Sequence, residues 1–282
     1  MTVYGKDVKR YVVRLIKLDI AWTVLELPLI CYQIFVISDH SLTYNIFHLF
    51  QAMLIGESYM GSWYIHASWL GMLLVWWMIN NLKRWVIVTV ATFCFLLALL
   101  DSSYRFILQS LNIAEIWSLL DLVLLPAESF VVAIPYFLLG YCLTKIDFNK
   151  ELSNIESFLL VGLMALPLVI ESLACLYAYR YSQMLMDNPR FEHFFMLIPV
   201  VCLMMVSCLR IRNYFSDKMA FFLRNQSILI YLLHRPLMLV IYKLGIEPQG
   251  LMFFLTTILI TVPVATIIIL LSKKMKLFRY LY

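Results

Sequence analysis

Lys6, Arg10, Arg14 and Lys17 are spaced four, four and three residues apart, so on a helix they share one narrow face. A row of cations suits a phosphate-bearing ligand, because guanidinium groups pair with phosphate through two parallel hydrogen bonds. Coenzyme A, with its pyrophosphate and 3′-phosphate, is such a ligand. Cytoplasmic anchoring of a membrane helix also calls for positive charge. Anchoring, however, depends on the number of charges and not on their alignment.

His234 stands in the run Ser227-Ile-Leu-Ile-Tyr-Leu-Leu-His234-Arg235-Pro236. If that run enters a bilayer from the cytoplasm, the imidazole lies about 10 Å deep at ~1.5 Å per residue. Ionisable groups at such depth are costly and mark functional positions. Pro236 cannot bond the carbonyl of Leu232, which leaves an acceptor and a local kink. A histidine near neutral pH can take a proton from an attacking hydroxyl and return it to a leaving thiol. The competing reading is a packing histidine bonded to nearby backbone.

Three acids accompany it. Asp19 and Glu26 are seven apart, on one helix face and facing away from the basic stripe. Glu171 falls in the outer half of its apolar run. These acids either orient a histidine, line a polar cavity, or pair with Arg or Tyr for assembly. Trp63, Tyr64 and His66 open another apolar run. Such rings form an interfacial belt, or stack on sugars; the belt is the more general explanation.

Other chemistries lack their residues. The six cysteines sit in apolar runs, where they behave as small hydrophobes, so neither a disulfide framework nor a metal set is expected. The five histidines are scattered, and no structural metal is expected. There is no G-x-S-x-G, H-E-x-x-H, phosphate-binding loop or dinucleotide fingerprint. No nucleic-acid motif accompanies the net charge of +5.

The elements that must position these groups are membrane helices. The chain has 282 residues, 63% of them hydrophobic and 14% charged, with a mean hydropathy of +0.87. Charged side chains are too few to cover that apolar surface in water, whereas a bilayer solvates it. Eight runs are candidate spans: about 15–38, 63–82, 85–101, 128–146, 156–178, 193–210, 227–244 and 250–272. The expected fold is an all-α polytopic bundle forming one domain over 1–282, with both termini cytoplasmic. The first run carries Asp19 and Glu26 and reads as a retained helix, not a cleaved signal peptide.

The basic residues test that topology. With the N-terminus inside, the inner segments hold Lys6 to Lys17, Lys83, Arg84, Lys145, Lys150, Arg210, Arg212, Lys218, Arg224, Lys273, Lys274, Lys276 and Arg279. The outer ones hold only Arg105, Arg180, Arg190 and Lys243. Acids collect outside: Asp39, Glu57, Asp101, Glu115, Asp121, Glu128, Asp187, Glu192 and Glu247. Residues 41–55 are short for a span and are expected at the outer interface. Residues 103–125, interrupted by Gln109, Asn112, Glu115 and Asp121, are expected as an amphipathic helix on the outer surface.

Four segments, in order, resemble acyltransferase family 3, membrane proteins that move acyl groups onto bacterial envelope glycans and similar acceptors. Arg10-Tyr-Val-Val-Arg14-Leu-Ile-Lys17 resembles the family's cytosolic R-x-x-R element, with Lys17 in place of the second arginine's fork. Trp63-Tyr64-Ile65 is similar to its W-[FY]-[LI] helix start, and Pro135-Tyr136-Phe137-Leu-Leu-Gly140 to its P-[YF]-F-x-x-G segment. Ser227 to Pro236 resembles its S-x-x-I-Y-L-L-H-x-P helix.

The resemblance implies a multi-pass protein of the bacterial cytoplasmic membrane. Cytosolic acyl-CoA would be the donor, and a hydroxyl of a polysaccharide or glycolipid the acceptor, with no tightly bound cofactor. Arg10, Arg14 and Lys17 would hold phosphates, and His234 would be a base or a thioester contact. Asp19, Glu26, Trp63, Tyr64, His66 and Glu171 would line the substrate. The family normally opens with two more helices, the first bearing D-x-x-R-G and a catalytic-type histidine. This sequence starts after that point, which implies a shortened or divergent member, or one served by a membrane partner subunit. The alternative from another class is a non-catalytic membrane carrier of lipid-linked sugar or of an acyl group.

Overall fold

A computed structural model describes residues 3–32, 35–36, 41–55, 63–111, 113, 117, 120, 124–145, 153–181, 191–210, 216–246, 250–275, 278 and 281–282. The helices are α1 (Val3–Tyr32), α2 (Leu42–Ile55), α3 (Trp63–Asn81), α4 (Arg84–Asp101) and α5 (Arg105–Ser110). They continue with α6 (Phe130–Leu143), α7 (Asn154–Tyr181), α8 (Leu197–Arg210), α9 (Asp217–Lys243) and α10 (Gly250–Ser272). Among the described residues there is no strand. Of the expected polar markers, Asp39, Glu57, Asn112, Glu115, Asp121, Lys150, Asp187, Arg190, Arg212, Glu247, Lys276 and Arg279 lie outside the described residues.

Three helical stretches among the described residues are long and apolar enough to cross a membrane: Arg84–Asp101, Leu159–Tyr181 and Gly250–Ser272. Phe130–Leu143 and Leu197–Cys208 are shorter apolar helices. α1 and α9 are long, but ionisable residues break up their apolar runs. Prolines inside α1, α6, α7, α9 and α10 are tolerated as in other membrane helices, where neighbours and local adjustment satisfy the freed carbonyls.

Local sequence sets the helix ends. Ser153 and Glu156 form a reciprocal capping box at the start of α7: Glu156 N–H donates to Ser153 Oγ at 3.2 Å, and Ser153 N–H donates to Glu156 Oε2 at 2.9 Å. Ser129 and Ser216 cap α6 and α9 through Val131 N–H and Met219 N–H. Gly245, at φ +89°, takes the left-handed position after α9, and Ile246 N–H bonds back to Ile241 O at 3.4 Å.

The chain packs as two units. Unit 1 comprises Met1–Val8 and Ala67–Arg212; unit 2 comprises Lys9–His66 and Asn213–Tyr282. The core of unit 1 is built from Val75, Met78, Ile87, Ala91, Cys94, Val131 and Ile134. Close approach there depends on Gly71, where an added Cβ would stand 2.7 Å from Ala133 Cβ. The core of unit 2 joins Leu18 and Trp22 of α1, Ile65 of α3, Leu229 and Leu232 of α9, and Ala265 and Ile269 of α10. Trp22 Nε1–H donates to Leu281 O at 3.0 Å, tying the last residues onto that core.

One expectation about the outer segments is corrected in unit 1. Asp101 is no loop acid: it ends α4 fully buried, and its carboxylate accepts from Trp117 Nε1–H at 3.2 Å and Ala127 N–H at 3.0 Å. Of the surface helix expected over 103–125, the described residues give the six-residue α5 and, further on, Trp117, Leu120 and Leu124 as helical, with Trp117 buried. An uncompensated charge at the end of an apolar helix is costly, and the following segment folds back to supply donors.

Candidate active site

The basic stripe forms as spacing dictates. Lys6, Arg10, Arg14 and Lys17 are all exposed on α1, while Val12, Leu18, Trp22, Glu26 and Ile30 form its buried side. The expectation that Asp19 and Glu26 face away from the stripe therefore holds. Arg14 lies near Arg224 of α9; burial and that like charge together lower its pKa. Burial and the neighbouring Tyr64 push the Tyr11 phenol up to about 12, against the opposing pull of Arg14.

Asp19 faces His66, with Oδ2 3.1 Å from Nδ1 and both side chains largely buried. An ionised carboxylate can only accept, so Nδ1 carries the proton and Nε2 keeps the lone pair. This arrangement orients an imidazole and stabilises the imidazolium formed when it takes a proton. Glu26 lies further along the same face, 2% exposed, and neither oxygen has a hydrogen-bond partner among the described residues.

The aromatic start of α3 packs within unit 2: Tyr64 meets Tyr231 in the middle of α9, with ring centroids 5.6 Å apart, and Ile65 joins the core with Leu18 and Leu229. The first turn of α3 thus sits level with Asp19, held there by Ile65 and by the carboxylate of Asp19. Trp63 packs edge-on against Tyr64 at 6.1 Å.

His234 belongs to the same unit. Its ring lies 5.7 Å from that of Tyr231, and Nδ1 donates to the Tyr231 carbonyl one turn back. A carbonyl accepts only, so His234 likewise keeps its lone pair on Nε2. Tyr231 therefore contacts both Tyr64, two residues before His66, and His234.

Glu171 stands apart, in unit 1. Its carboxylate accepts Phe195 N–H at 2.7 Å, Met196 N–H at 2.8 Å and the Tyr104 hydroxyl. That is a cap on the entry to α8, and the bond to Tyr104 matches the expected alternative of pairing with Tyr for assembly. Burial and the bond to Glu171 raise the pKa of Tyr104. Nearby, Ser102 Oγ accepts from Glu192 N–H at 2.9 Å and His193 N–H at 3.1 Å, while His193 Nε2–H donates to Ala127 O at 2.9 Å. No cluster of metal-ligating side chains occurs among the described residues.

The Asp19–His66 pair was only half visible in the sequence. The acid could be expected to orient a histidine, but nothing local pairs it with a residue 47 positions away. Asn225 was missed altogether, although an amide two residues before Ser227, at the edge of an apolar run, is itself a signal.

The family model described as an acyltransferase domain, that of acyltransferase family 3, matches residues 4–272. The chain belongs to this family of membrane-embedded acyltransferases. No curated protein and no solved structure matches it.

Proposed function

We propose that this protein is a multi-pass O-acyltransferase of the bacterial cytoplasmic membrane. It takes an acetyl or related acyl group from cytosolic acyl-CoA and places it on a hydroxyl of an envelope polysaccharide or glycolipid. The family membership supports acyl transfer; the observation that carries the mechanism is the carboxylate-backed imidazole of Asp19 and His66.

His66 Nε2 accepts the proton of the attacking hydroxyl as its oxygen bonds the thioester carbonyl carbon. Collapse of the tetrahedral intermediate breaks the C–S bond, and the same proton passes to the departing thiolate. His66 is favoured as base over His234 because Asp19 stabilises the cation formed in transit. His234 has a neutral carbonyl at Nδ1 in place of a carboxylate, and Arg235 beside it. His234 then serves the thioester side of the site, and Glu26, Trp63 and Tyr64 line the approach. The stripe of Arg10, Arg14 and Lys17 attracts the anionic donor to the inner face.

The test is transfer or hydrolysis of radiolabelled acetyl-CoA by purified protein in lipid nanodiscs. His66→Ala should lower kcat by roughly 10²–10⁴-fold, and Asp19→Asn by less, with His234→Ala acting on KM as well. Wild-type rates in His66→Ala would remove the proposed base. No turnover by the wild-type protein would favour a carrier of acyl groups or lipid-linked sugars.

A further inference from the structure

Unit 2 contains a cavity of about 610 Å³ between the first turns of α9 and the last turn of α10. This is within the ~300–1,000 Å³ typical of small-molecule sites. Lys218 and Lys273 stand on its wall, both exposed, together with one acid, Asp217. Phe221 and Phe222 supply apolar ring surface, and Arg224 lies over the Phe221 ring at 4.6 Å.

Asn225 closes the inner wall. It is 1% exposed, and neither its Oδ1 nor its Nδ2 has a hydrogen-bond partner among the described residues. Burying an amide without partners is costly, so the fold bears a cost that a ligand would relieve. The side chain offers one donor and one acceptor in a fork. That pairs with a flat heterocycle presenting the complementary edge, as asparagine does with adenine N6 and N7. Aromatic rings beside it provide stacking surfaces, and the two ammonium groups suit phosphates at the rim.

We propose that this cavity seats the adenine-nucleotide end of the acyl-CoA donor, with Asn225 reading the base and Lys218 and Lys273 holding phosphate. The inference rests on the acyl-CoA reading above and moves the nucleotide seat away from the outward-facing stripe of α1. The stripe then gathers the donor, and the α9–α10 cavity binds it.

The experiment compares acetyl-CoA with acetyl-pantetheine, which lacks the nucleotide, using the full chain in nanodiscs. Asn225→Leu and the double variant Lys218→Ala/Lys273→Ala should each raise KM for acetyl-CoA by roughly tenfold or more. Their kinetics with acetyl-pantetheine should match the wild-type protein. Adenosine 3′,5′-bisphosphate should inhibit the wild-type protein and lose potency against both variants. Should Asn225→Leu fail to fold, the lysine pair, altered only at exposed positions, carries the same test.

Active variants with unchanged KM for acetyl-CoA would overturn the nucleotide seat and leave the acyltransferase standing. A wild-type protein that binds the bisphosphate through Asn225 but transfers nothing would support the seat and overturn the enzyme. Absence of both would overturn both.

Discussion

The two units leave different polar groups without hydrogen-bond partners among the described residues. In unit 1, Asp101 takes two N–H donors and Glu171 takes two backbone N–H groups and a tyrosine hydroxyl. The buried polar atoms left over there, at Ser103, Tyr136, His193 and Ser207, are three hydroxyls and one ring nitrogen. In unit 2, the leftovers among the described residues include both oxygens of Glu26 and both polar atoms of Asn225. A carboxylate and an amide cost far more to strand than a hydroxyl. Unit 1 spends its polar groups on holding segments in place, and unit 2 keeps them available.

Substitutions at the two kinds of acid should break this comparison if it is wrong. The largest effect is expected at Asp101→Ala, which strands the N–H groups of Trp117 and Ala127 at about 1–3 kcal/mol each. Thermal unfolding in detergent should show a fall in midpoint of many degrees. Glu26→Leu should leave the midpoint unchanged or raise it, while slowing acyl transfer. If Glu26→Leu destabilises as much as Asp101→Ala, the two acids do the same job. Next comes Gly71→Leu, whose side chain overlaps Ala133; overpacking there should cost about 1–3 kcal/mol. Glu171→Ala should lose roughly 1 kcal/mol as an ordinary cap, with KM for acetyl-CoA unaltered.

The smallest effect concerns pH. The folded pKa of Tyr11 is raised from 10.0 to about 12. The neutral phenol therefore contributes stability that is complete below pH 10 and fades as pH rises through 12. Tyr11→Phe should flatten that part of the alkaline unfolding curve, and an unchanged curve would place the phenol in water.

Most helices could be read from their apolar runs, because in a bilayer every backbone group must find its partner locally, whereas α1 and α9 start well before theirs. The basic face of α1 and the opposing face of Asp19 and Glu26 followed from periodicity, and the structure retains both. What could not be read was pairing at a distance. His66 looked like part of an interfacial aromatic group because Trp63 and Tyr64 precede it, and only packing of Ile65 against Leu18 and Leu229 reveals its partner. Glu171 takes the pairing with Tyr that was among its expected alternatives, whereas Asp101 misled for a related reason. A lone acid in or beside an apolar run suggests chemistry or solvent, and its backbone donors appear only after loops close.

Tyr231 gives the site a mechanical property. Its ring leans on the residue that leads into one histidine, and its carbonyl steadies the other. Both imidazoles are thus geared to a single turn of α9. A small roll of that helix would shift the two imidazoles together.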